Sequence, residues 1–310
     1  MAKRKSKFQA AVELALVKGL IAIIGALPFR KAQRFGGRLG VFFHDTVGVR
    51  VKHAREELLR AFPDKTEEWA AHTVREVYRH FGTLAVEQVL MPKLNPVIER
   101  YVHVDQASLD RLKRAHAQKR GIFMVSCHMG NWENIMGMMI KQGYQIAGVS
   151  ANQSNEGIDA LLDKNREAVG IDVMKRGGAA KGLVRAIKNN KIIAIMLDQD
   201  AGSEGVFVPF FGRLASTTRG VATFTLRLNS NIMMMQTWRD EVSDIQVRLH
   251  DLKYVPTGDF QSDVVGMTAT MTAEIEQWIR QRPEQWLWLH RRWKTRPPEE
   301  NPEQGAVEHS

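Results

Sequence analysis

The chain has one cysteine, Cys127, in 310 residues. A single thiol excludes an internal disulfide framework and a multi-cysteine metal site. Histidines at metal-ligand spacing are missing as well, so no metal is expected. No Gly-x-Ser-x-Gly elbow occurs, which removes the usual serine-hydrolase presentation of a nucleophile. The full phosphate-binding loop signature is absent, so nucleotide binding is not expected and no cofactor is implied. No nucleic-acid-binding motif and no internal repeat is legible. A long uncharged apolar run is also lacking. A membrane-crossing helix needs about 20 apolar residues. The best stretch, Ala10 to Phe29, is interrupted by Glu13 and Lys18. A lysine at mid-bilayer costs about 2.5–3.5 kcal/mol. The clean part, Gly19 to Phe29, is short, and no clear Ala-x-Ala cleavage site accompanies it.

What is present is grease and positive charge. Apolar residues make up 44% of the chain, enough for a large core, and the net charge is +10. The last fourteen residues, Pro297 to Ser310, hold four Glu and no Lys or Arg, so residues 1–296 carry +14. Such a body calls for an acidic partner: anionic lipid, nucleic acid or an acidic carrier protein. Lys3, Arg4, Lys5 and Lys7 precede the N-terminal apolar stretch, and Arg30, Lys31, Arg34 and Arg38 follow it. That pattern favours a helix lying in a membrane interface with basic ends on the headgroups. The chain divides into an anchor helix over 1–30, a single domain over 31–296 and an acidic, disordered tail over 297–310.

Helical periodicity runs from Lys31 to about Met91, with Trp69, Val74, Tyr78, Phe81, Leu84 and Val89 near one stripe, until Pro92 and Pro96 break it. Short apolar strands then alternate with helices. Strands are expected at 101–104, 121–126, 145–150, 171–174, 192–197, 232–237 and 245–252. Helices are expected at 109–117, 132–142, 158–169, 179–188, 217–228 and 263–280. This alternation predicts an α/β fold with a mostly parallel sheet flanked by helices, whose ligands bind beyond the strand C-termini.

The segment Gly121 to Glu133 reads Gly-Ile-Phe-Met-Val-Ser-Cys-His-Met-Gly-Asn-Trp-Glu. An apolar strand ends in His128, Gly130 and Asn131 mark a turn, and Glu133 opens the next helix within reach of the imidazole. A histidine held by a carboxylate at the mouth of a sheet suits deprotonation of a hydroxyl. With 10 His and 34 acidic residues, chance alone supplies about one such spacing, so the strand-turn-helix context carries the argument. Cys127 and His128 are strand neighbours pointing to opposite faces, so a Cys-His dyad is disfavoured and Cys127 is read as structural.

Other segments have two readings. Asp198-Gln199-Asp200 follows a strand and either joins His128 or folds on itself as a turn. Gly205 to Arg213 carries Phe207, Phe210 and Phe211 in an expected loop. That loop either folds onto the domain or walls an acyl-chain pocket. Arg166 sits on a helix and is isolated in sequence. Lys175-Arg176-Gly177-Gly178 precedes a helix whose amides suit phosphate. Gln285 to Lys294 mixes Trp with basic residues, suiting a membrane interface, a core edge or an RNA-stacking surface.

Together these residues resemble the bacterial lipid A biosynthesis acyltransferases, the late lauroyl/myristoyl family of the lysophospholipid acyltransferase-like superfamily. That family also includes mycobacterial phosphatidylinositol mannoside acyltransferases. The resemblance spans roughly residues 10–296. It rests on His128-Met-Gly-Asn-Trp-Glu133, Arg166, Asp198-Gln199, Val206 to Gly212 with Thr217, and Trp286 to Lys294. It implies a glycerolipid acyltransferase-like fold at the cytoplasmic face of the inner membrane. Acyl groups pass from acyl carrier protein, or sometimes coenzyme A, to a hydroxyl of a lipid A precursor. His128 is then the general base and Glu133 the carboxylate that orients it. Donors near the helix start after Gly130 are expected to bind the oxyanion. Asn131, Arg166, Asp198, Gln199, Phe210, Phe211, Gly212 and Thr217 are the expected substrate-binding residues. Expected partners are the carrier protein, the lipid A precursor and anionic membrane lipid, with no nucleic acid. Alternatives are a thioesterase using the same pair on water, an acyltransferase for another glycolipid, and a basic binding protein without chemistry.

Overall fold

A computed structural model describes residues 7–150, 155–175 and 179–298. Helix α1 (Lys7–Ala26) leads into α2 (Phe29–Thr46), α3 (Val51–Ala61) and α4 (Glu67–Leu94). The alternating part follows: β1 (Val102–Val104), α5 (Gln106–Ala117), β2 (Ile122–Ser126), α6 (Asn134–Lys141), β3 (Ile146–Ser150), α7 (Glu156–Ala168), β4 (Asp172–Lys175), α8 (Ala179–Lys188) and β5 (Ile192–Met196). A hairpin, β6 (Val206–Phe210) and β7 (Arg213–Thr217), precedes α9 (Gly220–Leu228), β8 (Asn231–Arg239), β9 (Ile245–Asp251) and α10 (Phe260–Gln281).

Seven strands form one sheet in the order β1-β9-β8-β2-β5-β3-β4. Only the β8–β9 pairing is antiparallel. The expected mostly parallel α/β sheet is therefore present. All five residues of β2 are buried, as befits a strand covered on both faces. Phe123 and Val125 join one core with Met234, while Ile122 and Met124 join the other with Met233. From β2 the chain passes over β5 to reach β3, whereas from β5 it leaves for β8 on the other side. The C-termini of β2 and β5 thus flank the point where the winding reverses, the place such sheets leave open for ligands.

Helix α4 backs this opening. It lies very close to α2: a Cβ on Gly40 would stand 2.0 Å from the Tyr78 carbonyl oxygen, and one on Gly82 would stand 2.2 Å from that of Gly36. Pro92 was expected to end α4, yet the helix continues to Leu94. Proline removes the hydrogen bond to the carbonyl four residues earlier. Here that carbonyl, on Gln88, accepts from the Asn165 side chain at 3.3 Å. The break falls instead at Asn95–Pro96.

Among the described residues no helix is long and apolar enough to cross a membrane. Ile24 of α1 is buried in the core that α4 helps to form. The basic residues before Lys7 and the acidic tail from 299 onward lie outside the described residues, as do Gln153-Ser154 and Arg176-Gly177-Gly178.

Candidate active site

Strands β2 and β5 run parallel with Ile122 opposite Ile192 and Ser126 opposite Met196. Two residues further along each strand stand His128 and Asp198, and this register makes them neighbours. The Asp198 carboxylate accepts from His128 Nδ1 at 2.8 Å, and its other oxygen accepts from the His128 backbone N–H at 2.8 Å. That second oxygen also accepts from Trp286 Nε1 at 2.6 Å. Burial by itself would raise the Asp198 carboxyl, but the charge of His128 and these donors outweigh it and hold it at about 2. An ionised Asp198 fixes the proton on Nδ1 and leaves Nε2 as the basic nitrogen. The Gln199 amide nitrogen lies 3.5 Å from that Nε2.

Glu133 does not orient the imidazole. Its carboxylate is gripped by Arg166, Nη2 to Oε1 at 2.6 Å and Nε to Oε2 at 3.3 Å. Arg166 also reaches Asp163 at 3.2 Å. The cause is local. Asn131 Oδ1 accepts from the backbone N–H groups of Glu133 and Asn134, each at 3.1 Å, and α6 starts one residue after Glu133 rather than before it. The turn aims the Glu133 side chain at α7 instead of back at His128. Donors near this helix start are expected at the oxyanion, and Asn131 occupies two of them.

That turn is braced from beneath. Gly130 has φ +62°, and a Cβ there would meet the Thr237 carbonyl oxygen at 2.6 Å. His80 Nε2 donates to the Gly130 carbonyl at 3.1 Å. Burial, aided by the charge of Arg239, pushes the His80 imidazole down to about 3, so it stays neutral. Asn131 Nδ2 donates to Glu87 at 2.7 Å, and Arg239 clamps Glu87 with two bonds of 2.6 and 2.7 Å. Gln33 adds a third donor at 2.7 Å. Asn131 is therefore a fully buried brace and not a substrate ligand. Glu87 and His80 escaped the sequence reading. Glu87 sits three residues after Leu84 on the buried stripe of α4, and an acid in that position was the available signal.

A cavity of about 680 Å³ opens at His128. His128, Glu133, Arg166 and Gln199 are among its polar lining, with Gln88, Ser150 and Thr218, and Phe81, Leu84, Trp132, Met136, Leu183 and Phe224 are among its apolar lining. Few polar groups converging on a large apolar space are the usual form of a small-molecule site. Phe210, Phe211, Gly212, Thr217 and Asp198, all expected at the substrate, do not line it. The expected loop at 205–213 is part of the β6–β7 hairpin, turned by Phe211 (φ +50°) and Gly212 (φ +71°). Its phenylalanines lock a cluster of aromatic rings: Phe210 stacks on Trp293 at 5.6 Å, and Phe211 lies 5.6 Å from both Phe62 and Trp288. Thr217 Oγ1 accepts from Arg292, whose guanidinium is fully buried. The Trp-rich C-terminal segment is thus a core edge, with Trp286 and Trp288 each 1% exposed, and not an open membrane or RNA surface.

Cys127 is buried, and burial, then the nearby Asp198 charge, pushes its thiol well above the ordinary range, which suits a packing role. Lys175 is paired with Asp159 at 2.8 Å and Asp163 at 2.5 Å.

The chain is similar in sequence to known proteins over most of its length. Residues 1–295 match the family described as bacterial lipid A biosynthesis acyltransferase. The lipid A biosynthesis palmitoleoyltransferase of Escherichia coli (strain K12) is 28% identical over 284 residues, 90% of each chain. The lipid A biosynthesis lauroyltransferase of the same organism is 27% identical over 289 residues, again 90% of each. A phosphatidylinositol mannoside acyltransferase of Mycobacterium tuberculosis (strain CDC 1551 / Oshkosh) is 23% identical over 190 residues, 60% of this chain and 58% of that one.

Proposed function

Because this chain belongs to the bacterial lipid A biosynthesis acyltransferase family, we propose that its site moves a fatty acyl group from a thioester to a hydroxyl of a lipid A precursor. The observation that carries this reading is the His128–Asp198 pair at the mouth of an apolar cavity. The acceptor O–H gives its proton to His128 Nε2 as its oxygen attacks the thioester carbonyl. The tetrahedral adduct collapses, the C–S bond breaks, and the imidazolium returns the proton to the leaving thiolate. Asp198 remains a carboxylate throughout and stabilises the imidazolium, as the acid of a hydrolase triad does. No acyl-enzyme forms, since the acceptor hydroxyl is itself the nucleophile. The Gln199 amide, 3.5 Å from His128 Nε2, would donate to the carbonyl oxygen as charge develops there. Arg166, oriented by Glu133, offers a cation at the same mouth for the acceptor.

The proposed donor is an acylated carrier protein, with coenzyme A as the alternative carrier, and no further cofactor is invoked. The proposed setting is the cytoplasmic face of the inner membrane, reached by lying on the bilayer. Helix α2 and the turn after it support this: Lys31, Arg34 and Arg38 are exposed, and Phe42, Val47 and Val49 are 57%, 59% and 60% exposed. Cations beside unpaired apolar side chains suit an anionic lipid surface. Residues 1–30 would contribute to that surface, with 31–296 as the catalytic domain.

The test is acyl transfer by purified protein from carrier-protein thioesters of several chain lengths to tetraacylated Kdo-lipid A, read by mass spectrometry. One added acyl chain is expected. Transfer should fall about 10²–10⁴-fold in folded His128→Ala, the usual worth of a general base. Near wild-type transfer by that variant would overturn the mechanism. Free fatty acid without acylated lipid would mark a hydrolase acting on water.

A further inference from the structure

A second concave site is lined in part by the C-terminal residues Arg291, Trp293, Lys294 and Arg296. It is a cleft of about 520 Å³ and shares no lining residue with the first. Five cations line it: Arg60, Arg213, Arg291, Lys294 and Arg296. The one acid there, Glu57, is engaged by Arg60 at 2.7 Å and by Arg213. Arg291 and Lys294 have no carboxylate partner among the described residues. Concentrating the charges of Arg291 and Lys294 beside Arg60 and Arg213 in a concavity costs self-repulsion, which a compact anion relieves.

Unpaired polar atoms of the lining residues point the same way. Nine buried side-chain nitrogen and oxygen atoms lack a hydrogen-bond partner among the described residues. Three of them, His53 Nε2, Arg213 Nε and Trp293 Nε1, belong to residues of this cleft. Two of the three are N–H donors whatever the pH, and an unpaired buried donor costs about 1–3 kcal/mol. The Arg213 guanidinium carbon lies 3.9 Å from the centre of the Trp293 ring. Arg213 keeps Nη2 on Glu57 while its Nε has no partner among the described residues, and guanidinium N–H groups are the donors by which arginine takes phosphate.

We propose that this cleft is a binding site for a phosphate monoester, distinct from the acyl-transfer site. A phosphate monoester carries about −1.5 to −2 charge at neutral pH and three acceptor oxygens, against one charge for a carboxylate. It is therefore the compact ligand that best answers several cations and unpaired donors in one cleft. Binding does not depend on the acyl-transfer reading, because no group of that site takes part.

Trp293 supplies the readout. In full-length protein carrying isotope-labelled tryptophan, its indole N–H resonance is assigned by Trp293→Phe and followed by NMR while inorganic phosphate replaces chloride at constant ionic strength. A saturable shift is expected, with affinity at least about tenfold weaker in Arg291→Gln/Lys294→Gln, since hydrogen bonds to charged groups are worth about 1.5–3 kcal/mol. Both substituted residues are exposed, so the fold is expected to hold. Adenosine monophosphate and a short-chain phosphatidic acid then separate the sources. Tighter binding of the nucleotide indicates a soluble phosphorylated ligand, and tighter binding of the lipid indicates a headgroup; either supports the site. An unmoved resonance, a shift that never saturates, or an equal response in the double variant overturns it. So does a polyglutamate peptide that binds more tightly than any phosphate monoester, which would mark a protein-docking surface.

Discussion

Two buried carboxylates flank the same histidine in sequence or in space, and they hold different partners. The Asp198 carboxylate is 2% exposed and takes His128 at 2.8 Å; that of Glu133 is 7% exposed and takes Arg166 at 2.6 Å. Glu133 is five residues from His128, and Asp198 is seventy. The distant residue wins because parallel register brings the ends of β2 and β5 together, while the Asn131 turn steers the nearer one away. One pair sets the proton inventory of the imidazole, and the other sets the position of a cation at the cavity wall.

Breaking the first pair should have the largest effect. Asp198→Asn keeps the shape but loses the charge that stabilises the imidazolium and favours the Nδ1–H tautomer. Acyl transfer should drop about 10²–10⁴-fold in kcat, comparable to loss of the base itself. If Asp198→Asn retained more activity than Glu133→Gln, the assignment of roles would be reversed.

Glu133→Gln comes next. It leaves Arg166 without its main carboxylate but leaves His128 and Asp198 untouched. A charged hydrogen-bonded pair is worth about 1.5–3 kcal/mol, so a loss of roughly 10–10²-fold is expected, mainly as a raised KM for the acceptor. A kcat loss equal to that of Asp198→Asn at unchanged KM would place Glu133 in the proton-transfer step after all.

How much of this was legible follows from the range of each interaction. The short apolar runs and the helices between them gave the α/β sheet nearly strand for strand, because local pattern and burial agree there. His128 and Arg166 were legible as candidates, and both reach the cavity. Asp198 was legible only as one of two readings, beside His128 or in a turn of its own, because the strand register that decides between them across seventy residues is a property of the sheet and not of the segment. Phe210 and Phe211 misled for a related reason. Aromatic side chains in a turn look the same in sequence whether they meet a ligand or, as here, Trp288 and Trp293. The hairpin carrying them was hidden by its Gly and Pro, which read as loop. Glu87 and Arg239 join elements 152 residues apart, and only the fold reveals them as a pair.

Beneath the turn that separates the two pairs lies His80, and its effect is on stability. Its folded imidazole titrates at about 3, against an ordinary value of 6.5. Above 6.5 the group is neutral in both states. As pH falls from 6.5 toward 3 the unfolded chain takes up a proton that the folded chain refuses, so stability is lost across that window. At pH 5 the loss from this one group is about 2 kcal/mol. His80→Gln retains an N–H for the Gly130 carbonyl and has nothing to protonate. Its urea midpoint should fall less than the wild-type midpoint between pH 7 and pH 5. Parallel midpoints would mean that His80 protonates freely and does not brace the turn as a neutral donor.

The smallest effect tests whether Asp198 is held or merely present. Trp286 Nε1 donates to the Asp198 oxygen that also receives the His128 backbone N–H, leaving the other oxygen for Nδ1. Trp286→Phe removes this donor while keeping a ring against Phe210 and Trp288. One hydrogen bond to a charged acceptor then separates variant from wild type, about tenfold in kcat with KM for the thioester unchanged. Losing a donor also raises the Asp198 carboxyl. A carboxylate with one donor fewer also holds the protonated base more strongly, so the acid limb of kcat against pH should move upward in Trp286→Phe and stay in place in Glu133→Gln. That contrast reads positioning directly, because a packing defect would lower kcat at every pH without displacing the limb. A displaced limb in Glu133→Gln and a fixed one in Trp286→Phe would show that the two carboxylates share one titration and that the division between them is wrong.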